Sequence, residues 1–247
     1  MRIHKLTILL LLLVFATLGL TLGQQNQTKK EDAAEAEYAK QLQARRLRFP
    51  TANYDETALA DPKKNEARQQ KNRRKNNAGF VASNAPDYAF EVLQNIEGGI
   101  DLPSLPVAES SYIVLGRVTS AEAHLAQDKR NVYSEFEVSV EKVFKTATAL
   151  SEGSKIVVDR TGGFVKYPNG HTILYRISDL DMPLNGERYL FFLTSKNEDL
   201  SILTAYELGT KGVQPLDQAP QFEKYSGVSE RALLEKLRDA LVKTSPY

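Results

Sequence analysis

Val132-Tyr133-Ser134-Glu135-Phe136-Glu137-Val138-Ser139-Val140-Glu141 alternates strictly between two kinds of side chain. Val132, Ser134, Phe136, Val138 and Val140 fall on one face. Tyr133, Glu135, Glu137, Ser139 and Glu141 fall on the other. Successive side chains of a strand point to opposite sides, so this stretch is expected to be a strand with one face in a core and an acidic face in solvent. A slip of one residue would bury the glutamates, which fixes the register.

The same signature extends outward on both sides. Upstream, Tyr112–Val118 is a short apolar run of the kind that fits a buried strand. Downstream, Ile156-Val157-Val158 follows Gly153. Phe164–Tyr167 and Thr172–Ile177 flank Pro168-Asn169-Gly170, and Asn-Gly between two such runs signals a β-hairpin. Asn185-Gly186 marks another turn before Tyr189-Leu190-Phe191-Phe192-Leu193, expected to be a central strand. Leu200–Leu208 and Lys211–Leu216 add two more strands around Gly209. Seven or eight strands in roughly 105 residues predict a mainly β fold, a small antiparallel barrel or sandwich. No βαβ rhythm is present, which argues against a parallel, doubly wound sheet. One helix is expected at Ser229–Lys243, with Ser229 as N-cap and Leu234, Leu237 and Leu241 on a stripe beside Leu233 and Ala240. That stripe is expected to dock on the barrel.

Overall composition hides three regions. The 247 residues are 42% hydrophobic and 26% charged, with a net charge of +1, which gives nucleic acid no strong case as a partner. Residues 1–23 carry Arg2 and Lys5 before the apolar run Leu6–Leu22, the pattern of an export signal cut before Gln24 or of a retained membrane anchor. Both place the rest of the chain outside the cytoplasm. Residues 24–78 hold thirteen Lys/Arg against eight Asp/Glu, a net +5, and almost no large apolar side chains up to Asn77. They are expected to be a charged flexible tether, helical at most between Glu31 and Arg48 and stopped by Pro50. Lys71-Asn72-Arg73-Arg74-Lys75 fits a solvated linker, or a patch for an anionic partner. Residues 79–247 are the opposite, with seventeen basic and twenty-three acidic side chains, a net −6. Residues 79–110, with Pro103-Ser104-Leu105-Pro106, are expected to be an extended lead-in packing Leu102 and Leu105. The barrel is expected at 111–220 and the terminal helix at 228–244.

Chemistry is sparse. With no Cys, the chain has no disulfide, thiolate metal site or cysteine nucleophile. The histidines are His4, His124 and His171, none with a metal-spaced neighbour. No cofactor or metal is expected. Asp179-Leu180-Asp181 would share a face if extended and could meet a divalent cation, but it also fits a polar loop. Asn197-Glu198-Asp199 fits a hairpin loop, and Asn26-Gln27-Thr28 matches a glycosylation sequon. The hairpin Arg160–Ile177 carries Arg160, Lys166, Tyr167, His171, Tyr175 and Arg176. Arginines and exposed aromatics are what interfaces use, so Arg160, Lys166, Tyr167, His171 and Tyr175 are the candidate binding residues.

Four stretches recur in a familiar order. They are Gly116-Arg117-Val118, then Phe136-x-Val138-x-Val140-Glu141-x-Val143-Phe144-Lys145, then Gly153-x-x-Ile156-x-Val158, then Leu184-x-Gly186-Glu187-Arg188-Tyr189-Leu190-Phe191-Phe192. This order resembles the netrin-like modules, the family of the tissue inhibitors of metalloproteinases. It also looks like that of bacterial exported proteins of unknown function. The resemblance implies an OB-type five-stranded barrel with a helix after it. The inhibitors reach a metal through an N-terminal cysteine, which this chain does not have, so no functional residue carries over. The expected function is an exported, non-catalytic module binding a protein or an envelope polymer. Two alternatives stay open. One is a secreted hydrolase built on Asp159, Asp179, Asp181 or His171. The other is a structural envelope protein held by its basic tether, with the membrane met only through an uncleaved N-terminal segment.

Overall fold

A computed structural model describes residues 36–37, 39–55, 62–76, 80–86, 89–96, 100–196 and 199–244. The export segment 1–23 and the sequon 26–28 lie outside the described residues. The chain forms two units, Met1–Arg48 and Phe49–Tyr247. In the first, residues 36–37 and 39–46 are helical (α1), and Gln41 Nε2 donates to Glu37 Oε1 at 3.2 Å. Among the described residues no helix is long and apolar enough to cross a membrane.

The second unit is mainly β. Eight strands fill Tyr112–Pro215: β3 (Tyr112–Leu125), β4 (Val132–Lys145), β5 (Lys155–Thr161), β6 (Gly163–Lys166), β7 (Thr172–Ile177), β8 (Arg188–Lys196), β9 (Asp199–Gly209) and β10 (Gly212–Pro215). The larger sheet runs β10-β9-β5-β4-β3-β8, and β8 also pairs with β9. Its pairings are antiparallel except β5–β9, which run parallel through Val158–Leu200 and Asp159–Ser201.

The smaller sheet departs from expectation. Two further strands, β1 (Thr51–Asn53) and β2 (Glu91–Gln94), flank the β6–β7 hairpin in the order β1-β6-β7-β2. Both add in parallel, β1 along Phe164–Lys166 and β2 along Leu174–Ile177. The segment Pro62–Arg74 is a helix (α2). Residues 24–78 are therefore not one long tether, and 79–110 are not simply a lead-in. Short pieces of both pair along the β6–β7 hairpin, and Ala52 and Val92 pack into its cluster with Tyr167 and Tyr175.

Burial explains the strand patterns. Tyr189, Phe191 and Leu193 of β8 enter a cluster with Val114, Phe136, Val138 and Val158. Their neighbours Leu190 and Phe192 enter a second cluster on the opposite face, with Ile113, Phe222, Leu233 and Leu237. A strand covered on both faces reads as an unbroken apolar run. The second cover is a helix, α3 (Glu230–Thr244). Ser229 Oγ caps it, accepting from Ala232 N at 3.2 Å. Leu233 and Leu237 are fully buried and Leu234, Ala240 and Leu241 partly so, which centres the apolar stripe one residue from its expected line. Burying each leucine contributes about 1.5–3 kcal/mol. Leu102 and Leu105 pack beside them as expected.

At Gly116, β3 and β4 meet too closely for a side chain. A Cβ there would lie 2.6 Å from Val138 Cγ1 and 2.7 Å from Ser139 O. The backbone oxygen cannot rotate away. Gly116→Ala is expected to lower stability by about 1–3 kcal/mol in urea unfolding followed by circular dichroism; an unchanged midpoint would show that the strands separate there at no cost.

Candidate functional site

Three carboxylates lie in a row across three adjacent strands. Glu135 of β4 is directly opposite Asp159 of β5, Asp159 is opposite Ser201 of β9, and Asp199 lies two residues before Ser201. The face of β4 expected to be solvated is thus half covered. Tyr133 is 1% exposed, and the Glu135 side chain 13%. The cover is α2.

Helix α2 has no apolar stripe. Its sequence, Pro-Lys-Lys-Asn-Glu-Ala-Arg-Gln-Gln-Lys-Asn-Arg-Arg, contains no Leu, Ile, Val, Met or aromatic residue. It is held by charge. Arg68 Nη1 is 2.7 Å from Glu135 Oε2, and Lys71 Nζ bridges Glu135 Oε1 at 2.7 Å and Asp159 Oδ2 at 2.9 Å. Arg74 makes a fork on Asp199, with Nη2–Oδ1 at 2.8 Å and Nε–Oδ2 at 3.2 Å. Just past the helix, Lys75 Nζ reaches Asp159 Oδ2 at 2.9 Å. Positions 68, 71 and 75 recur at the spacing of one helical face. Ser201 Oγ donates to Asp159 Oδ1 at 2.8 Å, and Tyr133 OH donates to Asn72 Oδ1 at 2.7 Å.

The ion pairs set the protonation states. Burial alone would raise the Glu135 carboxyl, but Lys71 and Arg68 outweigh it and hold it below its ordinary 4.5. Asp199 is likewise pushed up by burial and pulled, on balance, below 3.8 by Arg74, Lys71 and Lys75. For Lys71, burial lowers the pKa, yet Asp159 and Glu135 carry it above 10.5. Burial pushes the Tyr133 phenol up to about 12.

The loop between β3 and β4 closes the end of the helix. Gln127 N donates to Asn72 O at 3.1 Å, and Asn131 Nδ2 donates to Lys75 O at 3.1 Å. Asn131 is 5% exposed, and its Oδ1 makes no hydrogen bond. The reverse amide orientation would set Oδ1 against the Lys75 oxygen, so this one is fixed. Beside it opens a cleft of about 390 Å³, lined by Arg74, Lys75, Asn131, Thr161, Lys196 and Ser201 among others.

The residues singled out on the hairpin are dispersed. Lys166 and His171 are exposed, but Arg160, Tyr167 and Tyr175 are buried at 4%, 3% and 0%. Tyr167 and Tyr175 share a hydrogen bond between hydroxyls at 2.6 Å. Arg160 Nη1 and Nη2 grip Asp217 at 2.6 and 2.9 Å, Nη1 also donates to Asp181 O, and Nη2 donates to Leu203 O at 3.0 Å. Arg176 pairs with Glu91. The hairpin is no free edge either, since β1 and β2 occupy both its sides. Its arginines and tyrosines are explained by internal partners.

The acids weighed for hydrolysis do not converge. Asp159 and Arg160 are consecutive in β5, so their side chains leave opposite faces. Asp159 faces α2, whereas the Asp181 carbonyl meets Arg160 on the other side. Asp179 is exposed with φ 61°, and Asp181 is 2% exposed with its Oδ2 accepting from Gln218 Nε2 at 2.9 Å. His171 sits at the hairpin turn. Residues 197–198 lie outside the described residues, and Asp199 opens β9 and not a loop. Among the described residues no three His, Asp or Glu side chains are placed to hold a metal ion.

Removing one partner of a buried ion pair strands the other. Asp217→Ala is expected to cost about 3–5 kcal/mol in chemical denaturation, because Arg160 loses both arms of its fork. A cost below about 1 kcal/mol would show that Arg160 finds water instead. The α2 pairs give a pH signature. Folded-state pKa values of Glu135 and Asp199 are depressed, so their stabilisation is complete above the unfolded values and disappears as pH falls through the folded ones. Thermal melts at low salt are expected to show a steep loss of stability below about pH 4 that is weakened in the Glu135→Gln/Asp199→Asn variant. Parallel curves for the two proteins would remove these groups from the acid response.

No protein-family model matches the chain, and no curated protein matches it.

Proposed function

We propose that the chain is an exported, non-catalytic binding module of the OB type, netrin-like in strand pattern, which recognises a protein or an envelope polymer. Support for the barrel is the cyclic order of pairing: β3 to β4, β5, β9, β8 and back to β3. Five strands in such a cycle are what an OB-type barrel requires. Export outside the cytoplasm rests on Arg2, Lys5 and the apolar run Leu6–Leu22.

The place of the cleft carries the functional reading. OB barrels bind on the face of their second and third strands, between the loop joining strands one and two and the loop joining strands four and five. Here those are β4 and β5, residues 126–131, and the β8–β9 connection. Asn131 lines the cleft from the first of these loops, and Lys196 and Asp199 line it from the strand ends at the second. Thr161 and Ser201 add hydroxyls from β5 and β9. Cations, a carboxamide with an idle acceptor and hydroxyls suit a polar chain better than an apolar small molecule.

Immobilised full-length protein exposed to its native envelope fraction tests this reading. The control is Thr161→Val/Lys196→Ala, which takes a hydroxyl and a cation from the cleft and sets no new charge beside the ion pairs of α2. A partner retained by wild type and reduced by about tenfold in the control, a loss of ~1.4 kcal/mol, is the expected result. A Lys166→Ala/His171→Ala variant should retain it fully. Loss in that variant, with retention by the cleft control, would return the site to the hairpin.

A further inference from the structure

We infer that the acidic face of β4, β5 and β9 is a socket for the C-terminal half of a Lys/Arg-rich helix, that α2 is its occupant in cis, and that the partner supplies a helix of the same kind in exchange. This rests on the binding-module reading and adds to it a basic helix of the partner, whose cations would stand in the cleft lining where Arg74 and Lys75 stand now.

The socket reads two features, neither of them particular to α2. The first is the helix end. The last carbonyls of any helix lack intrahelical donors. Asn131 Nδ2 supplies a donor to the Lys75 carbonyl, and Gln127 N adds a second donor to that of Asn72, which also accepts from Lys75 N at 3.3 Å. Such contacts are made to backbone and fit any sequence. The second is charge. Glu135, Asp159 and Asp199 stand where the negative end of the helix dipole arrives, so a helix without cations there is repelled. Cations at positions corresponding to 68, 71, 74 and 75 reverse the sign. The face therefore selects basic helices by their final two turns.

Exchange is favoured over simple opening. Asp159 is 2% exposed and Asp199 8%, so an empty socket would hold carboxylates with no cation beside them. Helix α2 in turn is held by polar contacts alone. It buries no large apolar side chain, and its first turn has no acidic residue to suit the dipole. A free helix of this length is marginal in water. A partner helix with the same cations and additional apolar contacts would compete successfully. The idle Asn131 Oδ1 offers an acceptor that α2 leaves unused.

The test uses full-length protein and a fluorescent synthetic peptide of residues 62–76 as probe. The triple variant Arg68→Glu/Lys71→Glu/Lys75→Glu sets acid against acid and expels the resident helix. By fluorescence anisotropy at low salt, the variant is expected to bind the peptide at least about tenfold more tightly than wild type, and to lose it in 0.5 M salt as screening grows. A peptide with its four cations replaced by Gln should not bind. Equal affinity of variant and wild type, or capture of the Gln peptide, would overturn the inference. If the variant does not fold, amide hydrogen exchange of wild type decides. Faster exchange of Pro62–Arg74 in high salt, with β4 and β5 unchanged, supports a socket that releases its helix. Unchanged α2, or α2 and β4 loosening together, would make α2 a fixed part of the fold. Both failures leave the envelope-retention result standing, because its cleft control spares the α2 ion pairs.

Discussion

The repulsion between Glu135 and Asp159 is the constraint around which this fold is arranged. The apolar face of β4 fixes its register, and that register sets the two carboxylates directly opposite one another. Opposed side chains on neighbouring strands are about 5 Å apart, where like charges interact by roughly 3 kcal/mol at an effective dielectric near 20. The strand cannot slip to relieve this without burying its glutamates. A cation must stand between them, and Lys71 does. The basic segment that precedes the strands is thereby drawn onto the sheet by what the sheet itself creates.

One step along β5 the same problem is solved differently. Arg160 points away from α2 into a buried site, where Asp217 and two backbone carbonyls take its Nη1 and Nη2 donors and Nε is left without a partner. Consecutive charged residues in a strand thus serve two networks, one on each face. The inner one is closed and uses a bidentate fork whose geometry Lys could not reproduce. The outer one is assembled from a helix with partly exposed side chains, Arg74 at 32% and Arg68 at 21%. Burial separates a permanent pair from an exchangeable set.

Much of the fold was legible in the sequence because its signals are local. The alternation of Val132–Glu141, the Asn169-Gly170 turn and the capped stripe of Ser229–Lys243 each depend on residues close along the chain, and each led to the observed element. The small sheet was not legible. Thr51–Asn53 and Glu91–Gln94 have no strand-like alternation of their own and exist through parallel pairing with a distant hairpin. The hairpin then misled. Arg160, Tyr167 and Tyr175 looked like interface residues because sequence gives side-chain chemistry without exposure, and all three have internal partners. For α2 the signal in the sequence is a run of charge, which fits a solvated linker equally well. Four cations of the basic segment, Arg68, Lys71, Arg74 and Lys75, meet three carboxylates of the acidic one, and the spacing of 68, 71 and 75 marks the helical face that does so.

Helices α2 and α3 both cover this β framework, by opposite physics. Leu233 and Leu237 hold α3 through burial, which salt does not screen and which only unfolding reverses. Fixed charges at short range hold α2, and their strength depends on ionic strength, on pH and on what other cations are offered. A structural cover would be expected to use the first kind of bond, as α3 does. Using the second kind over one face of the larger sheet places there a contact that salt and pH can loosen. Charge also gives selectivity that burial lacks: an apolar groove accepts many helices, whereas a row of three carboxylates rejects any helix without matching cations.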